Sequence, residues 1–129
     1  MTMSRVLTIF IGLMGVLALL ASLPTRSTYA SIVYTTPFAV LFLISFKSAL
    51  AHQAFGAATG AAIPIAWFHY LFLYDIWFRL PNEGGGANIG LGLLLVFVMP
   101  FLVLFSALMG WLIGHRITMR SANRSSPDR

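Results

Sequence analysis

The chain has 129 residues, of which 59% are hydrophobic and only 9% charged; eight Lys or Arg against three Asp or Glu give a net charge of +5. A soluble globular domain carries about 25% charged residues, so this composition excludes an ordinary water-soluble fold and points to lipid as the solvent. Cysteine is absent, which excludes disulfides, thiolate metal or iron–sulfur sites, thiol catalysis and lipid attachment through cysteine.

Residues 6–25, 27–46, 48–74 and 84–114 carry no formal charge, and each stretch has at least twenty residues. A helix rises about 1.5 Å per residue and the hydrocarbon core is about 30 Å thick, so each is long enough to cross a bilayer. The expected fold is all-α: a polytopic membrane protein forming an antiparallel four-transmembrane-helix bundle over residues 1–115, with a partly disordered basic tail at 116–129.

The first helix is expected at about 6–23, closed by Pro24. Residues 1–30 also resemble a secretory signal, with Arg5 in front and Thr28, Tyr29 and Ala30 as a cleavage site. The apolar run is longer than the roughly 7–15 residues of a signal core, so it reads as a retained anchor. Helix two is expected at about 31–48, with Lys47 extending its stem towards the headgroups. The next turn is placed near residues 47–53 and helix three at 54–77, with Pro64 inside it. Turning instead at residues 56–60 would leave Lys47 in mid-membrane, at about 2.5–3.5 kcal/mol. Residues 79–88, with Pro81 and three consecutive glycines, read as a loop. Helix four is expected at 89–115, bent at Pro100.

Lys and Arg are retained on the cytoplasmic side during insertion. Four crossings with both termini inside put Arg5, Lys47, Arg116, Arg120, Arg124 and Arg129 in the cytoplasm and only Arg26 and Arg79 outside. Asp75 and Glu83 then lie outside too, and Tyr29, Tyr34, Tyr74 and Trp77 form an aromatic belt at that face. The expected location is the inner (cytoplasmic) membrane of a bacterium, as a multi-pass protein.

Gly56 and Gly60 are four residues apart, as are Ser106, Gly110 and Gly114, so each set occupies one helix face. Small residues let helix backbones approach, and in lipid such packing is a main source of helix association. These five residues are the expected helix-packing sites, within the bundle in the first instance and between copies in the second.

His69 is the one titratable residue well inside a span and lies on the side of its helix opposite Gly60. It is the candidate haem ligand, proton relay or quinone-site donor; the plainer reading is a neutral histidine bonded to a neighbouring helix. His52 and His69 are seventeen residues apart, about 25 Å along a helix, which no single iron bridges. His52 and His115 read as interfacial. Asp75 and Arg79, four apart, suit an extracytoplasmic ion pair worth a few tenths of a kcal/mol. Arg116, Arg120 and Arg124, spaced by four, suit contact with anionic headgroups at about 1 kcal/mol each.

No catalytic residue, cofactor or metal site is assigned, and nucleic acid is not an expected partner. The expected activity is non-enzymatic: an accessory or scaffold subunit of a larger membrane complex, or a homo-oligomer, working through helix packing within the lipid bilayer. The alternative is a small oligomeric transporter or channel. Length and helix number are similar to those of the small multidrug-resistance exporters, but that family relies on an acidic residue in its first helix, and residues 6–23 contain none. A second alternative is a haem- or quinone-associated electron-transfer subunit using His69.

Overall fold

The computed structural model describes residues 2–78 and 89–124, and their regular structure is entirely helical. Helix α1 (Met3–Ser22) ends in a 3-10 turn at Leu23–Thr25 that contains Pro24. Arg26 then adopts a left-handed φ of 50°, and its N–H returns to the Leu23 carbonyl at 3.1 Å. Ser27 caps the next helix by accepting the Ala30 N–H at 3.3 Å. That cap starts α2 at Thr28 rather than at 31, and α2 (Thr28–Ser45) stops before 48.

Lys47 has an extended backbone, followed by a 3-10 turn at Ser48–Leu50. Helix α3 (Ala51–Phe78) therefore starts earlier than 54, with Pro64 inside it. A turn at residues 56–60 is overturned, because they lie within α3. The expected loop at 79–88, with Arg79 and Glu83, and the extreme tail at 125–129 lie outside the described residues. The fourth helix, α4, begins as Ile89–Leu93, widens into a π-helical turn at Leu94–Val98 and continues as Met99–Arg124. It passes the expected end at 115, so Arg116 and Arg120 stand on helix rather than in an irregular tail.

Among the described residues, four helical stretches are long and apolar enough to cross a membrane. Helix α3 is the central one, packing against α1, α2 and α4, while α1 and α2 form a hairpin beside it. Its buried stripe consists of Ala54, Ala57, Ala58 and Ala61, small enough to admit neighbours on more than one side. Ile11 and Ala18 of α1, Tyr34, Phe38 and Leu41 of α2, and Met99 and Val103 of α4 complete the core. Outside it, large apolar side chains such as Leu17, Leu43, Trp67 and Phe101 are exposed on all four helices. So much apolar surface on one small chain supports a membrane reading.

Polar groups between helices are mostly paired. The Thr8 hydroxyl lies 3.0 Å from the Ser4 carbonyl and 3.2 Å from that of Ser45, joining the start of α1 to the end of α2. At the opposite end of the hairpin, the hydroxyls of Ser22 and Ser31 are 2.9 Å apart.

A π-helical turn precedes Pro100, and in it the Met99 N–H reaches back to Leu94. Proline has no N–H, so the Val96 carbonyl four residues earlier lacks its α-helical donor. The Tyr29 hydroxyl of α2 donates to it at 3.3 Å. Tyr29→Phe is expected to lower stability by about 0.5–1 kcal/mol, in the range of membrane interhelical hydrogen bonds. The loss should shrink in a Pro100→Ala background, where an amide N–H returns; circular dichroism of unfolding in detergent measures both.

Candidate functional site

Two places bring the chemically distinctive residues together: the seam between α3 and α4, and the surroundings of His69. Along the seam, a Cβ added to Gly56 would strike the Gly110 carbonyl, one on Gly110 would strike that of Gly56, and one on Gly60 would strike that of Ser106. A Cβ on Gly114 would lie 2.6 Å from the His52 carbonyl oxygen and 2.9 Å from the Gln53 Cα. Residue numbers rise along α3 as they fall along α4, so the two helices run antiparallel. The hydrogen that each Cβ would replace points at the opposing carbonyl, forming Cα–H···O contacts worth about 0.5–1 kcal/mol apiece. Gly56, Gly60, Ser106, Gly110 and Gly114 thus meet within one chain, a pairing that spacing alone did not specify.

At the end of the seam, the Gln53 side-chain amide donates to Nδ1 of His115 at 2.9 Å. The sequence reads His115 as interfacial and assigns it no partner, and Gln53 is the residue it meets. Gln53 is buried, and a buried amide without a partner costs free energy, so the contact explains the orientation of both side chains. The signal available in sequence was the polar residue beside a run of alanines. Arg116 and Arg120 are exposed one turn apart further along α4, whereas the side chain of Arg124 lies outside the described residues. Asp75 sits near the end of α3, and its expected partner Arg79 also lies outside the described residues.

His69 faces away from the glycine seam, towards α1 and α2. Its ring is edge-on to Tyr34, with centroids 6.5 Å apart, and Tyr34 is also edge-on to Phe68 at 6.2 Å. Tyr34 is fully buried, which corrects its expected place in an interfacial aromatic belt. Its position on the α3-facing side of α2 drives it into the core. Tyr29, Tyr74 and Trp77 are exposed, and Tyr74 stacks on Phe78 at 5.0 Å.

The Tyr34 hydroxyl and Nδ1 of His69 are buried without a hydrogen-bond partner among the described residues. The bond expected from a neighbouring helix is not made at that nitrogen. His69 also lines a cleft of about 390 Å³ between α1 and α3, together with Ala18, Ala21, Ala62, Ala66 and Phe38. His52 and His69 both lie on α3, which keeps them too far apart to share an iron.

Gly92 provides a control for the seam, since a Cβ there would meet nothing within 4 Å. Gly56→Ala and Gly110→Ala are each expected to cost about 1–3 kcal/mol, because the obstruction is backbone and cannot swing aside. Gly92→Ala should be neutral or stabilising by up to about 1 kcal/mol through helix propensity. Thermal unfolding of the three variants in detergent distinguishes close packing from a general effect of losing glycine. Comparison of the chain with protein-family models, with curated proteins and with solved structures gave no match.

Proposed function

We propose that this chain is a non-enzymatic, multi-pass protein of the bacterial cytoplasmic membrane, an antiparallel four-helix bundle with both termini inside. In this reading it acts as an accessory or scaffold subunit, binding other membrane helices through the outward face of α4. The observation that carries the reading is how α4 distributes its side chains. Its small residues are taken up against α3 within the same chain, while Phe97, Phe101, Leu104, Phe105, Leu108 and Leu112 remain exposed.

The orientation is supported by the basic residues. Arg116 and Arg120, exposed on helix, and Lys47 in the α2–α3 turn stand at the same end of the molecule, because His115 meets Gln53 early in α3. A cytoplasmic leaflet rich in anionic lipid would attract that end.

Alkaline carbonate should leave the protein in the membrane fraction, and a reporter fused after Arg129 should be active only in the cytoplasm. Purification in mild detergent followed by native mass measurement is expected to give a heteromeric mass. A bare homo-oligomer would favour transport instead, and an exterior carboxyl terminus would overturn the topology.

A further inference from the structure

We propose that the cleft beside His69 is a binding site for a bilayer-soluble quinone, whose ring carbonyl accepts a hydrogen bond from the histidine. The proposal rests on the membrane reading above. The cleft lies within the 300–1,000 Å³ range of small-molecule sites. Ala18, Ala21, Ala62 and Ala66 line it with small side chains and Phe38 and His69 add two aromatic rings, a lining that suits a flat ring. Leu17 and Tyr70 at its margin are exposed, so a molecule dissolved in lipid enters sideways.

The polarity of the site follows from the two orphaned groups. The buried Nδ1 of His69 has no partner, and the hydroxyl of Tyr34, whose ring is edge-on to the imidazole, does not bond to it. A neutral imidazole offers one N–H, and what it requires is an acceptor on an otherwise apolar ligand. A quinone carbonyl meets that requirement without bringing a charge or a second donor into an apolar cleft.

The test uses the full chain in lipid nanodiscs, titrated with a decyl-substituted benzoquinone and followed by infrared spectroscopy of the quinone carbonyl. Saturable binding of one quinone per chain is expected, with the carbonyl stretch lowered by hydrogen bonding. His69→Phe should weaken binding about tenfold, as loss of one hydrogen bond in a buried site implies, and abolish the spectral shift, with His69→Gln restoring part of both. Ala66→Phe, which fills the cleft from an exposed position, should abolish saturable binding while leaving the helical spectrum unchanged. Unsaturable partitioning or equal binding by Ala66→Phe would overturn the proposal. Displacement of the quinone by equimolar dioleoylglycerol would reassign the site to a lipid ester and overturn the quinone assignment. A chain that resists carbonate extraction yet shows no binding refutes this site alone; a chain that never integrates refutes the membrane reading beneath it.

Discussion

The backbone contact between α3 and α4 is the constraint from which most of the arrangement follows. Because Gly56, Gly60, Gly110 and Gly114 have no Cβ, each can face opposing backbone carbonyl or main-chain atoms directly. One face of α4 is committed to that contact, and its large apolar side chains must point outward. Helix α3 is then flanked by α4 on its glycine side and by the α1–α2 hairpin on another. Small residues on α3 serve both neighbours: glycine where backbones touch, and alanine where Ile11, Phe38 or Met99 fills the space. In lipid, where burying one apolar side chain against another gains little over burying it in acyl chains, such shape matching carries the association.

The second organising principle is where polar groups go. Helices satisfy their own backbones, so the remaining demands come from side chains and from places where a helix is interrupted. Hydroxyls turn back onto carbonyls one turn earlier or reach across the hairpin, as Thr8 and Ser22 do. Gln53 and His115 satisfy one another at the end of the seam. The interruption in α4 also has its remedy, since the carbonyl released by Pro100 is taken by Tyr29 of α2. Against that background, the orphaned pair Tyr34 and His69 marks the one interior place among the described residues where two helices bring polar groups together without using them.

Much of this was legible in the residues themselves. Apolar runs between isolated charges located four helices, and the four-residue spacing of small residues identified the faces that pack. Boundaries were less legible. Ser27 starts α2 early because a hydroxyl cap, a local interaction of one residue, outweighed the polar look of the segment around it. Helix α4 runs on past Gly114 because that glycine packs against α3 rather than ending a helix. Tyr34 was misplaced because its residue type favours interfaces, whereas its position on the α3-facing side of α2 sends it inward.

The sequence by itself determined how many apolar helices form, roughly where they begin and end, and which faces are smooth, since these depend on hydropathy and spacing along one helix. Only the tertiary structure decided that the α3 and α4 glycines face each other, that Gln53 meets His115, and that His69 meets Tyr34 beside a cleft. Each of those facts concerns residues tens of positions apart on different helices, and their meeting depends on the rotation and register of whole helices, which no local pattern encodes.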